Sequence, residues 1–361
     1  MKIILLGFYQ SEYILNLYLE LKKRKEDNLS IYVIMLYSKE NAHITALRNL
    51  NDPQILLINA PRIRSIKNIS LMYRLYQKIK SINADKVHIQ GTYPWFFLFI
   101  PWRQKMNIIS TVHDVNPHLG ENNIMGNIDN GIIYLLSKQI IVHSYRLKEE
   151  YAKKYSVNNK KIYVIPHGVF LSKKQRKIQR KNYNWILFFG RIREYKGLEY
   201  LIKSEPLINK KIKNFKIVIA GDGGYFKKCE KFIKNKKNFI IYNKQISDEV
   251  RSELFEKCSL VVLPYIGASQ SGIIPIVYDF KKPVISTNVG ALPDVVIDGK
   301  TGFLVEPRNV KQLAEKIIWM LKHPKERKQM GINGYKFSKK ELSWNKIAKM
   351  TIEAYEDESS N

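Results

Sequence analysis

Short runs of Ile, Val and Leu punctuate the chain, and between them apolar residues return every three or four positions, the spacing of one helix face. In the N-terminal half the runs are KIILLG (2–7), SIYVIML (30–36), QILLI (54–58), KVHIQG (86–91), NIISTVH (107–113), QIIVH (139–143) and KIYVIP (161–166). They are continuous rather than alternating, and amphipathic stretches such as SEYILNLYLELKKRK and NISLMYRLYQKIKSI separate them. That pattern predicts a parallel sheet covered on both faces by helices.

The pattern then breaks. Residues 171–183, within LSKKQRKIQRKNYN, are polar and cationic without apolar periodicity, and read as an interdomain linker. A second series follows: WILFFG (185–190), FKIVIAG (215–221), NFIIY (238–242), LVVLPY (260–265), KPVIST (282–287) and GFLVE (302–306). The expected fold class is therefore α/β, with Rossmann-like domains at 1–170 and 184–342, and the expected ligand site is a cleft between the carboxyl ends of the two sets of strands. A length of 361 residues agrees with two cores rather than one.

Composition sharpens this picture. Lys and Arg number 61 against 32 Asp and Glu, a formal charge of +29, which calls for a polyanionic partner. A biased composition alone would enrich Glu as readily as Lys. The cations are scattered and no recognition motif accompanies them, so nucleic acid is not the expected partner. Cys229 and Cys258 have no paired spacing, which predicts neither disulfide nor cysteine metal site and fits a reducing cytoplasm. MKIILLGFYQSEY turns polar too early for a signal peptide, and no apolar run approaches the ~20 residues of a membrane helix.

Three segments carry candidate chemistry. In LFFGRIREYKGLEYL a strand ends at Gly190, Arg191 and Lys196 follow, and a helix is expected from about Gly197. Two cations beside a helix N-terminus make a diphosphate site, Arg through its planar fork and Lys as a point charge; the alternative is a pair of solvated surface cations. In LPYIGASQSGIIP, Gln270, Ser271 and Gly272 would present side chains and backbone N–H groups where another helix opens, unless Ser271 is simply its N-cap. In STVHDVNPHLGE, His113 and Asp114 end a strand, with His118 and Glu121 beyond. A metal on His113, Asp114 and His118 is conceivable as a 2-His-1-carboxylate set, but Pro117 breaks any helical register between them and no metal is expected. The turn GFYQSEY places Tyr9 and Gln10 at a strand end, with Gly7 allowing close backbone approach.

In order and spacing, FGRIREYKGLEYLI, IAGDG, SDEVRSELFEKCSLVVLPY and KPVISTNVGALPDVVIDGKTGFLVEP resemble the C-terminal domain of family 4 retaining glycosyltransferases of the GT-B fold. The resemblance extends over most of residues 160–358. It includes VIPHGV before the linker and SWNKIAKMTIEAYED, within 343–361, which is similar to the helix that returns to the N-terminal domain. It implies that Arg191 and Lys196 bind the diphosphate of a nucleotide-sugar donor, that Gly190, Gln270, Ser271 and Gly272 line the donor, and that His113 lies beside the donor sugar. Tyr9, Gln10, Asp114, His118 and Glu121 would then meet the acceptor. The family's usual two glutamates, seven residues apart, are replaced by Gln270 and Tyr278, with Asp279 offered for the ribose. Gln270 can hydrogen-bond sugar hydroxyls but can neither carry charge nor accept a proton. QSG with its following Pro is similar to a recurring subtype, so a variant rather than a dead site is expected, needing no metal or cofactor.

A basic amphipathic segment, RIRSIKNISLMYRLYQKIKSINADK, precedes the aromatic TYPWFFLFIPWRQK. Its apolar stripe is expected to pack on its own sheet, leaving Arg62, Arg64, Lys67, Arg74, Lys78 and Lys80 for water or an anionic membrane. The resemblance implies a cytoplasmic enzyme, peripheral at the inner face of the plasma membrane, acting on a glycan or lipid-linked glycan. A nucleotide-sugar epimerase of the same fold and a degenerate glycan-binding scaffold are the rivals.

Overall fold

The computed structural model describes residues 1–24, 28–115, 124–157, 162–169, 183–268 and 270–357. Nearly all of the expected linker, together with His118 and Glu121, lies outside them. Two compact units divide the chain, one running to Gly168 and taking in Trp344 onward, the other spanning Val169–Ser343.

The first unit follows the predicted alternation. Its elements are β1 (Lys2–Phe8), α1 (Ser11–Lys23), β2 (Ser30–Tyr37), α2 (Ala42–Asn49), β3 (Ile55–Asn59), α3 (Lys67–Ile82), β4 (Lys86–Gln90), β5 (Ile108–Val112), α4 (Ile124–Leu136), β6 (Gln139–Val142), α5 (Tyr145–Tyr155) and β7 (Ile162–Val164). All seven strands pair in parallel in the order β3-β2-β1-β4-β5-β6-β7. Every carboxyl end therefore opens at one edge, which gathers the residues following β1, β4, β5, β6 and β7.

The second unit repeats the arrangement with β8 (Trp185–Phe189), α6 (Leu198–Lys211), β9 (Lys216–Ala220), α7 (Phe226–Glu230), β10 (Phe239–Tyr242), α8 (Asp248–Lys257), β11 (Leu260–Leu263), α9 (Ile273–Asp279), β12 (Val284–Thr287), α10 (Leu292–Val295), β13 (Gly302–Val305), α11 (Val310–Lys322) and α12 (Pro324–Glu341). Its six parallel strands run β10-β9-β8-β11-β12-β13. Apolar cores cover both of its faces, with Phe188, Ile217 and Val262 toward one and Leu187, Val218 and Val261 toward the other, as continuous apolar strands require.

A last helix, α13 (Trp344–Glu356), belongs to the first unit and packs on α1. Trp344 meets the Tyr13 ring edge-on at 4.9 Å and lies so close to Gly168 that a Cβ there would stand 2.5 Å from its ring. A polar seam completes the attachment. Tyr355 Oη and His88 Nδ1 are 2.6 Å apart, and Gln139 Nε2 donates to the Asp357 carbonyl at 2.9 Å.

Three details add to or depart from the sequence reading. Gly7 lies inside β1, and a Cβ there would collide with Ile14 of α1, so its bareness serves helix packing rather than approach to a ligand. In the aromatic run, a 3₁₀ stretch over Pro94–Lys105, Phe96 and Phe99 are buried, Trp95 and Trp102 are half-buried, and Phe97 stands exposed. The α3 stripe of Leu71, Met72, Leu75 and Ile79 is buried on the sheet as expected, whereas Ile69 is not.

Removing the Trp344 indole should therefore cost the first unit a core contact. We expect Trp344→Ala to lower stability by about 3–5 kcal/mol, read from the urea midpoint. An unchanged midpoint would mean that α13 is not part of that core.

Candidate functional site

In the second unit, strand β8 carries the backbone into a turn built on two left-handed glycines. Gly190 has φ +119° and Gly197 φ +62°. The second caps α6, where any Cβ would collide with the Pro264 carbonyl. Glycine is thus required for the 190–197 turn to lie against the loop after β11. Its other side is braced by the IAGDG loop, through Gly190 N–H to the Ala220 carbonyl at 3.0 Å and Ile192 N–H to the Asp222 carbonyl at 2.7 Å.

This packing brings the two predicted loops together. Lys196 Nζ donates to the Tyr265 hydroxyl at 2.7 Å and stands 4.2 Å from the centre of its ring. Tyr265 Oη is 3.3 Å from Ser271 Oγ, which in turn accepts from Ile273 N–H at 3.4 Å. Lys196 also lies 3.9 Å from the place a Gly190 Cβ would occupy. Arg191 is exposed, Gln270 and Gly272 are half-buried, and among the described residues no carboxylate pairs with Arg191 or Lys196. Lys339, by contrast, pairs with Asp279. An unmatched pair of cations at a sheet's carboxyl edge is suited to an anion.

Tyr265 was not singled out by the sequence, although its place at the end of LVVLPY was a signal. Asp279 sits at the far end of α9 and ion-pairs with Lys339 at 3.1 Å. Tyr278, at the second glutamate position, is fully buried, with its hydroxyl 2.9 Å from the Val295 carbonyl and 2.7 Å from Thr301 Oγ1. It is a packing residue.

In the first unit, Tyr9 is exposed with φ +67°, and Gln10 caps the start of α1. His113 follows β5 directly and is buried, and the neighbouring Asp114 is exposed. Around His113 the structure gathers a set of imidazoles that the sequence analysis did not connect, His88 and His143 buried and His167 half-buried. His143 follows β6 and His167 follows β7, so three adjacent strands deliver three histidines. Tyr13 packs edge-on against His113 and His167, at 5.4 and 5.3 Å. A shared position just beyond an apolar strand, in VHD, VHS and IPHG, was the available signal.

Hydrogen bonding orders this group. His143 Nδ1 is 2.9 Å from the Ile165 carbonyl and so carries the proton; its Nε2 then accepts from His113 Nδ1 at 3.0 Å. His113 Nε2 faces Gln90 Oε1 at 3.2 Å, while the Gln90 NH₂ reaches His88 Nε2 and Thr111 Oγ1, both at 2.9 Å. The Gln90 amide can serve either protonation state of His113, accepting from the imidazolium as it stands and donating to the neutral ring once turned end for end. Burial pushes His88 and His143 down to about 3, and burial, then His143, His167 and His88, hold His113 well below the usual imidazole range. These rings are neutral near pH 7. Among the described residues, no group of three His, Cys, Asp or Glu is placed to hold a metal ion.

Residues 170–337 match the model for glycosyl transferases group 1, and residues 11–173 match that for glycosyltransferase family 4. An uncharacterized glycosyltransferase of Methanocaldococcus jannaschii is 31% identical, covering 84% of this chain and 85% of that one. This chain belongs to the family 4 glycosyltransferases. Another relative of the transferase, the capsular polysaccharide biosynthesis glycosyltransferase CapM of Staphylococcus aureus, is 27% identical over 57% of this chain and 60% of its own. Among solved structures, a glycosyltransferase from Rickettsia africae superposes with a TM-score of 0.74 at 20% identity, covering 98% of this chain and 97% of that one. Anabaena HepE, solved in complex with UDP-glucose, has a TM-score of 0.74 at 16% identity, covering 98% and 99%. The fold is GT-B.

The buried histidines of the transferase set a pH dependence. In the unfolded chain they take up protons below about 6.5, whereas the folded unit holds them neutral to about 3. Stability should be full above about pH 6.5 and fall as pH drops through that window, by up to about 1.4 kcal/mol per pH unit for each such histidine. Urea unfolding from pH 7 to 4 checks this; His143→Asn should flatten the slope, and an unaltered slope would contradict the assignment.

Proposed function

We propose that the transferase moves a sugar, with retention of anomeric configuration and without a metal, from a nucleoside diphosphate sugar to a hydroxyl of a glycan or lipid-linked glycan in polysaccharide or glycoconjugate assembly. The observation that carries this reading is the arrangement of Arg191 and Lys196, with Lys196 locked on Tyr265 and neither cation matched by a carboxylate among the described residues. Breaking the anomeric bond moves negative charge onto the departing diphosphate, and cations fixed beforehand stabilise that charge without reorganising. They supply the compensation a metal would otherwise give.

The remaining roles are the ones the family resemblance implies. Gly190 leaves the backbone bare beside Lys196. Gln270, Ser271 and Gly272 are assigned to the donor's sugar and phosphate as hydrogen-bonding groups, and Asp279 to the ribose, for which it would have to leave Lys339. His113, neutral and oriented by His143, is assigned to a hydroxyl of the transferred sugar; Tyr9, Gln10 and Asp114, with His118 and Glu121, are assigned to the acceptor. Neither Gln270 nor a buried neutral His113 is a carboxylate nucleophile, so a same-face displacement assisted by the leaving phosphate replaces a covalent intermediate. The UDP-glucose bound to HepE and the capsular role named for CapM support this reading of donor class and pathway. A cytoplasmic location, peripheral to an anionic membrane, agrees with the charge of +29.

A thermal-shift series with UDP, GDP and ADP comes first, because a ligand bound to the folded state raises its apparent stability. At least one should raise the Tm, Arg191→Ala and Lys196→Ala should each remove that response, and each should lower kcat by about 10²- to 10³-fold once a donor is found. NMR of the product should show the donor's anomeric configuration. Binding indifferent to both substitutions would leave a glycan-binding scaffold, and donor isomers formed without acceptor would make the protein an epimerase.

A further inference from the structure

Leu71, Met72, Leu75 and Ile79 of the expected α3 stripe are buried, yet Ile69 and the apolar residues beside it are not. Ile66 is 79% exposed, Tyr73 56%, Ile69 54% and Phe97 44%, with Ile63 also exposed. Ile66, Ile69 and Tyr73 fall at i, i+3 and i+7, one above another on the outer face of the helix. Trp95 ties the remainder to them, its Nε1 donating to the Ile63 carbonyl at 2.6 Å and its ring stacking on Phe97 at 5.9 Å.

The segment that presents Ile63 and Ile66 is held from beneath. Asn68 is fully buried, and its Nδ2 donates to the Arg62 and Ser65 carbonyls at 3.0 and 2.9 Å while its Oδ1 accepts from the Tyr93 hydroxyl at 2.6 Å. With its carbonyls turned inward, the chain displays Arg62, Ile63, Arg64, Ile66 and Lys67 outward, cations alternating with isoleucines. Residues 53–113 contain nine Lys and Arg against a single acid, Asp85.

We propose that this surface docks the transferase on an anionic lipid bilayer, with Ile63, Ile66, Ile69 and Tyr73 entering the headgroup–acyl boundary and the interleaved cations meeting lipid phosphates. The inference adds a located surface to the proposed function and rests on that reading only for its purpose, access to a lipid-linked acceptor. Charge complementarity selects the occupant. A second copy docking on the same patch would set Arg62, Arg64 and Lys67 against the same three cations, and a nucleic acid would leave the isoleucines unused. A bilayer with anionic headgroups satisfies both kinds of side chain, and no helix of the described residues is long and apolar enough to cross it.

Flotation of the full chain with phosphatidylcholine vesicles, with and without about one third phosphatidylglycerol, tests the proposal. The wild type should float with the anionic vesicles. Ile66→Ser with Ile69→Ser should weaken binding about tenfold or more at every salt concentration, since each isoleucine loses apolar burial. Arg64→Ala with Lys67→Ala should weaken it about fivefold or more per cation at low salt, with the difference shrinking as salt rises. The nucleotide thermal shift of the same variants should match wild type, which keeps the donor reading separate. Brominated acyl chains should also quench tryptophan emission in the wild type, and Trp95→Phe should reduce that quenching. Wild-type flotation by the double isoleucine variant, absence of quenching, or a wild-type dimer that the isoleucine substitutions make monomeric would overturn the proposal.

Discussion

The bond from Lys196 to the Tyr265 hydroxyl ties together the two loops that carry the second unit's candidate site. It spans a sequence separation of 69 residues, from the turn after β8 to the loop after β11, and closes at 2.7 Å only because Gly197 lets the first turn press against the Pro264 carbonyl. Lysine is ordinarily a mobile point charge on a flexible stem. Held over an aromatic face and hydrogen-bonded to its hydroxyl, it becomes a fixed one, and a fixed charge loses less rotamer entropy when an anion arrives. Parallel topology does the rest, since β8 and β11 are neighbours whose carboxyl ends emerge side by side.

In the first unit the same topology acts on neutral groups. Strands β4, β5 and β6 are buried along their whole length, yet they carry His88, Gln90, Ser110, Thr111 and Gln139. Buried polar groups cost free energy unless they are paired. Here much of the pairing runs between strands and onto α13, through Tyr355 and the Asp357 carbonyl, so the returning helix satisfies the same layer that positions His113. Such a network specifies one orientation for the imidazoles. His143 can accept from His113 only because the Ile165 carbonyl claims its other nitrogen.

Both parallel sheets were legible in the sequence because continuous apolar runs separated by helical periodicity admit few other folds. Arg191 and Lys196 were legible because their place after an apolar strand follows from the chain order. What escaped was set by side chains distant in sequence. KVHIQG reads as one more apolar strand, and nothing local reveals that His88 and Gln90 form a hydrogen-bonded layer under α13. Gly7 looked available to a ligand until Ile14 was seen to need its space. Tyr278 aligned with a binding glutamate, but its hydroxyl is committed to Val295 and Thr301 inside the core. The exposure of Ile66 and Ile69 was hidden for a related reason: helical periodicity marks which residues share a face, not how much of that face a 3₁₀ stretch will cover.

Replacing the usual glutamate by Gln270 has an electrostatic consequence on the proposed reading. A carboxylate near Arg191 and Lys196 would offset part of their field and lend negative charge to a sugar that becomes cationic as its bond stretches. A neutral amide does neither, so more of the barrier lowering must come from holding the diphosphate. That shift helps only to the extent that the cations bind the departing group more strongly than the intact donor, because attraction felt equally in both states changes affinity without changing turnover. The clamped geometry of Lys196 bears on this point: a charge that cannot follow the ligand favours whichever state places its oxygens nearest, and the oxygen that gains charge is the one released from the sugar.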